Sequence, residues 1–107
     1  MMITKKELLP CPVAVTIQII GTKWKILIIK ELLYGTKRFS ELKRAIYCTQ
    51  KVLTSNLKEL EKDGIILRKV YAQVPPKVEY SLTDIGNTLK PLVEDMAEWG
   101  KYYKSLV

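Results

Sequence analysis

Histidine is missing from this 107-residue sequence, cysteine occurs twice and phenylalanine once. Without an imidazole the chain lacks the usual general base, the Ser–His and Cys–His nucleophile pairs, and every metal site that needs such a nitrogen ligand. Cys11 and Cys48 stand 37 positions apart, which is not a zinc spacing. Two cysteines are also too few for a disulfide-dense secreted scaffold, so the pair suits a reducing, cytoplasmic setting. Long apolar runs are absent too: the longest, Ile26 to Ile29, falls far short of the roughly 18 residues that suggest a membrane span. Lys5 and Lys6 precede Glu7 and Pro10 rather than an apolar signal core, so neither a targeting peptide nor a membrane is expected. The length fits a single domain over residues 1–107, with little room for a core plus a deep substrate cavity. An enzyme, a metal and a cofactor are all unexpected.

Cationic charge is what the chain has in excess, with 18 Lys and Arg against 11 Asp and Glu and a net charge of +7. The excess is uneven. Residues 1–34 hold 5 positive and 2 negative charges, residues 35–71 hold 9 and 4, and residues 72–107 hold 4 and 5. A basic middle beside a near-neutral C-terminal third fits a polyanion-binding face next to a packing or assembly element. A solvated basic surface is the plainer reading of the same numbers.

Local signals predict a mainly helical chain. Pro12 suits the first helical position, and Val13 to Ile20 supplies apolar residues before Gly21. Thr22 is a plausible N-cap for a second helix over 23–33, with Trp24, Leu27, Ile28 and Leu32 as its inward stripe and Lys23, Lys25 and Lys30 off it. Ser40 reads as the N-cap of a short helix through Ile46, and Thr49 as the cap of another running to about Asp63 and ended by Gly64. Two short helices joined by a tight turn form a helix-turn-helix candidate. Two strand-like segments, Ile65 to Tyr71 and Val78 to Leu82, flank a loop containing Pro75 and Pro76 and predict a β-hairpin. Thr83 then caps a long C-terminal helix, which Pro91 is expected to kink.

If Leu53, Leu57 and Leu60 face inward, a rotation of about 100° per residue puts Lys51, Ser55, Lys58 and Lys62 outward, with Thr54 beside them. The major groove accepts such a helix, and bases are read near its N-terminus, where Thr49, Gln50, Lys51, Thr54 and Ser55 lie. Lys58 and Lys62 would meet phosphate, while Arg38, Arg68, Lys69, Gln73 and Lys77 would contact the backbone or minor groove from the hairpin and its flank. Glu59, Glu61 and Asp63 dilute the helix's charge and favour an ordinary solvated surface. Leu92, Met96, Trp99 and Tyr103 form a C-terminal apolar stripe that, with Val13, Ile17 and Ile20, is a candidate dimer interface.

Several ordered motifs together carry a family resemblance: "CPV" at 11–13, "GTKWKILII" at 21–29, "RFSELKRAI" at 38–46, "TQKVLTSNLKELEKDG" at 49–64 and "VPPKVEYSLTDIG" at 74–86. In these, from about Cys11 to Trp99, the chain resembles the HxlR-type winged helix-turn-helix transcriptional regulators. The resemblance implies a homodimer assembled through N- and C-terminal helices, one helix in each major groove of a pseudo-palindromic operator, and a wing on the flanking backbone. It names no effector. Cys48 departs from the family in replacing an aliphatic residue, and Thr22 in replacing a usual Gly.

The expectation is therefore a winged helix-turn-helix, mainly α with a small β-hairpin wing, acting on double-stranded DNA. A winged helix that binds RNA or protein is the competing class. A small thiol redox enzyme using Cys11 lacks both a C-x-x-C motif and a His partner. Cys11 is instead a candidate thiol sensor: at an N-cap its sulfur would face unpaired backbone N–H groups and the helix's positive end, with Lys5 and Lys6 nearby. Cys48 would be its resolving partner, with buried packing as the plainer role for both.

Overall fold

The computed structural model describes residues 7–107. Its elements are α1 (Pro12–Ile20), α2 (Lys23–Leu32), β1 (Lys37–Arg38), α3 (Phe39–Ala45), α4 (Gln50–Lys62), β2 (Ile66–Tyr71), β3 (Lys77–Leu82), α5 (Asp84–Asn87) and α6 (Lys90–Lys104). The strands form one antiparallel sheet in the order β1–β3–β2. This is the expected mainly helical fold with a hairpin wing, plus the short strand β1, which two residues are too few to signal by alternation.

Pro12 opens α1, and the α1 and α2 axes differ by 78°. Thr22 caps α2 by accepting the Lys25 N–H at 3.1 Å. The buried face of α2 is Lys25, Ile28, Ile29 and Leu32, so Lys25 lies inside the stripe rather than off it, and Trp24 and Leu27 are only half-buried. The reason is a partner: Lys25 Nζ lies 2.8 Å from Glu59 Oε1 on α4.

Ser40 is not the cap of α3. The helix begins at Phe39, with extended Arg38 as the N-cap residue, whose N–H donates to Glu41 Oε1 at 2.8 Å. A Glu at the third helical position supplies the end group that Ser40 was expected to supply. Thr49 does cap α4, accepting the Val52 N–H at 3.1 Å, and Gly64 ends the helix at φ 76°, a left-handed conformation that favours glycine.

Leu53, Leu57 and Leu60 bury the inner face of α4 against a core that includes Ile28, Ile29, Leu42, Ile66 and Tyr80. The wing closes at its base through Thr83. Its hydroxyl donates to the Gly64 carbonyl at 2.7 Å and accepts the Gly86 N–H at 3.0 Å. A side chain at position 86 would meet the Ile65 carbonyl oxygen at 2.3 Å, so only glycine permits this docking.

The expected long C-terminal helix is two helices. Thr83 caps α5 alone, the chain bends at Thr88 and Leu89, and α6 starts at Lys90 with Pro91 in its first turn. Pro91 thus starts a helix instead of kinking one, because its missing N–H falls among those that a first turn leaves unbonded. From there α6 buries only Val93. A radius of gyration of 14.8 Å, against about 13 Å for a compact chain of this length, reflects this projecting helix.

Candidate nucleic-acid interface

The outward row of α4 is continuous. Gln50, Lys51, Thr54, Ser55 and Lys58 line one shallow concavity, and all but half-buried Thr54 are exposed. Lys62 is exposed one turn beyond, in the last turn of the helix. Thr49 is exposed just ahead of the row, with its hydroxyl oxygen engaged in the cap.

On the opposite side of α4, polar contacts to α2 add directional ties to the leucine packing. Thr22 Oγ1 donates to Asn56 Oδ1 at 2.8 Å, and Asn56 Nδ2 donates to the Val52 carbonyl at 2.8 Å. One turn along, Lys25, with its side chain 4% exposed, meets Glu59. Sequence reasoning missed this junction. The signal was Asn56, which lies three residues from Leu53 and one from Leu57, within the inward arc of an otherwise leucine-lined stripe. A buried amide needs a hydrogen-bonding partner, so its place in that arc pointed to a polar contact across the helices.

The wing residues divide between two faces because side chains alternate along a strand. Arg68 joins Thr54, Leu57, Lys58, Glu61 and Tyr80 around the groove between α4 and the wing. Lys69 and Lys77 lie on the other face, around Tyr71. Gln73 is exposed in the connecting loop. Arg38 is exposed on β1 opposite Glu79. The Tyr71 hydroxyl, followed by Lys77 and Arg38, holds the Glu79 carboxyl below the usual carboxylate range. Neither Tyr71 nor Glu79 was singled out from the sequence, since a lone acid in a strand carries no spacing signal.

Val13 and Ile17 on α1 and Leu92, Met96, Trp99 and Tyr103 on α6 are exposed apolar side chains, with Trp99 stacked on Tyr103 at 5.4 Å. Ile20, expected with them, is 3% exposed and belongs to the chain's own core. Cys11 is exposed at the N-cap of α1 and makes no capping hydrogen bond, while Cys48 is half-buried against the core; both are free thiols. Lys5 and Lys6 lie outside the described residues. Among the described residues no single helix is long and apolar enough to cross a membrane, and no cluster of three or more acidic, Cys or His side chains could hold a metal.

The sequence and the fold both have close counterparts among known proteins. The chain is 52% identical over 99 residues to the HTH-type transcriptional regulator YdeP of Bacillus subtilis strain 168, covering 91% of this chain and 77% of that relative. It superposes on the redox regulator HypR in its reduced form with a TM-score of 0.86 at 49% identity, covering 90% of this chain and 96% of the other. The reduced form of the transcriptional regulator YodB from B. subtilis gives 0.73 at 38% identity over 85% and 91% of the two chains. The HxlR-like helix-turn-helix family matches residues 19–106, more than three quarters of the sequence, and the chain belongs to that family of transcriptional regulators.

Proposed function

We propose that this protein is a cytoplasmic, single-domain transcriptional regulator that binds a pseudo-palindromic DNA operator as a homodimer and responds to thiol oxidants. The observation that carries the DNA reading is the outward row of α4, backed by the part-buried polar contacts to α2 and flanked by the cationic wing. In the major groove Gln50 can bond adenine bidentately, Lys51 can reach guanine acceptors, and Thr54 and Ser55 can serve a base edge or phosphate. Thr49 would contribute at the helix start. Lys58, Lys62, Arg38, Arg68, Lys69, Gln73 and Lys77 would contact backbone, which positions the protein without reading sequence. The relatives' role as transcriptional regulators supports a binding protein over an enzyme.

Two-fold symmetry places two reading helices about one helical turn, roughly 34 Å, apart. The exposed stripe of Leu92, Met96, Trp99 and Tyr103, with Val13 and Ile17, supplies an apolar surface for such a dimer.

Sensing rests on the two thiols. HypR is solved in oxidised and reduced forms and YodB in reduced and diamide-treated forms. In this chain Cys11 is exposed at the start of α1, and Cys48 immediately precedes the Thr49 cap of α4. Peroxide would oxidise the Cys11 thiolate to sulfenic acid as its O–O bond breaks, and the Cys48 thiolate would displace hydroxide, lost as water, to form a disulfide. A bridge at that place would act on the start of the reading helix.

Binding-site selection from random duplexes should return a two-fold symmetric site. Lys51→Ala and Ser55→Ala should each relax preference at particular positions at a cost of about 1–3 kcal/mol, whereas Lys62→Ala should weaken all duplexes alike. Selection of RNA or no duplex preference would contradict this reading.

Trp99→Glu should give folded monomers with lost operator affinity, measured by sedimentation and circular dichroism. A dimer that survives the substitution would remove α6 from the interface.

Peroxide or diamide should change operator binding by the parent protein and produce a bridge visible on non-reducing gels, with both effects absent in Cys11→Ser. Cys11 is exposed rather than packed in the core, where its plainer reading puts it, so unchanged binding in the oxidised parent would leave it a surface thiol without a sensing role.

A further inference from the structure

The wing face away from α4 collects charge in a way that phosphate contacts alone do not explain. Glu79 sits on the central strand β3, with Arg38 on β1 and Lys69 on β2 as its direct cross-strand partners. Its carboxylate lies 3.3 Å from Lys77 Nζ and accepts a hydrogen bond from the Tyr71 hydroxyl. The ammonium groups of Lys69 and Lys77 stand 4.9 and 4.6 Å from the centroid of the same Tyr71 ring. Two ammoniums over one ring repel each other, and an anion beside them offsets that cost.

The Lys77–Glu79 pair is more sheltered than an ordinary surface ion pair, while Arg38 and Lys69 are exposed. Side-chain exposure is 26% for Lys77 and 23% for Glu79, so solvent screens this pair less than a fully hydrated one. Tyr71, Lys77 and Arg38 all favour the ionised carboxyl, so Glu79 keeps its charge throughout the neutral range. Three cations, one from each strand, thus share this face with the ionised Glu79, and Lys77 is its direct ion-pair partner.

We propose that Glu79 is a built-in counterion of the wing, occupying among Arg38, Lys69 and Lys77 a place that a DNA phosphate would otherwise fill. The cluster then carries a net charge of two rather than three toward DNA. Sequence-independent affinity grows with the number of phosphates neutralised, so an internal anion weakens that part of binding and leaves a larger share to the base contacts of α4.

This rests on the DNA-binding reading, and salt titration separates the two. Glu79→Gln keeps an acceptor for the Tyr71 hydroxyl while removing the charge. It should steepen the slope of log K against log salt by about 0.9 per wing, about 1.8 for a dimer with both wings on DNA, and tighten operator and random duplex alike by about eightfold per wing at 0.1 M salt. Tyr71→Phe, which changes no charge, should leave the slope at the parental value. So should Glu98→Gln, which raises net charge equally but lies on α6 beside Lys101. Glu79→Thr, which retains strand propensity, should reproduce the steepening should Glu79→Gln fail to fold. Arg68→Gln tests the underlying reading by flattening the slope by about 0.9 per wing. If Arg68→Gln flattens the slope while both Glu79 variants leave it unchanged or bind more weakly, the counterion proposal is overturned. If Arg68→Gln and Lys51→Ala also have no effect, the DNA-binding reading itself fails.

Discussion

The polar junction between α2 and α4 is the constraint on which the binding face depends. A helix resting on leucines alone can rotate or slide at small cost, since apolar contacts have little directional preference. Hydrogen bonds and ion pairs do have direction. Thr22 bonded to Asn56, and Lys25 to Glu59, tie α4 to α2 at two points one turn apart. The leucine stripe turns Gln50, Lys51, Thr54, Ser55 and Lys58 outward, and those two ties resist rotation of that row. Thr22 also caps α2, so one hydroxyl both starts the supporting helix and holds the reading helix.

The chain's remaining surfaces follow from how little core 107 residues can supply. The three leucines of α4 and the isoleucines of α2 fill the interior beneath the reading helix. Almost nothing is left to cover α6, which buries Val93 and exposes its aromatic residues. The wing, lacking a core on its outer side, is organised by charge and by Tyr71 instead. These three solutions, apolar packing below α4, an exposed apolar stripe on α6 and an ionic cluster on the wing, keep the proposed reading, assembly and backbone-contact surfaces apart in space.

What the sequence made legible were features whose cause is local. The Leu53, Leu57 and Leu60 stripe, the Thr49 cap and the alternating strands on either side of Pro75 all act within a few residues, and the structure has them where they were expected. The misreadings have non-local or competing causes. Lys25 was placed outside because a lysine is rarely buried, and its partner Glu59 lies 34 residues away. Ser40 lost the cap to the Arg38–Glu41 interaction, and Pro91 began a helix because Thr88 and Leu89 had already ended the one before it. Ile20 fits a helical stripe equally well as core or interface, and only the bend between α1 and α2 turns it inward. The outward row of the candidate interface was legible because it follows from the inward one, but the Tyr71 and Glu79 cluster required the strand register.

If the junction's role is orientation more than stability, removing its charges in a balanced way should separate the two. The double variant Lys25→Met, Glu59→Met keeps the net charge and similar volume; Lys25 is buried while the Glu59 side chain is 55% exposed, so removing both charges strands no unpaired buried ion. Comparing its affinities for the selected operator and for random duplex tests the account most directly. We expect the ratio of operator to random affinity to fall by about tenfold or more, equivalent to about 1.4 kcal/mol, while random-duplex binding stays near the parental value. A folded double variant with the parental ratio would contradict the claim that this junction sets the reading face.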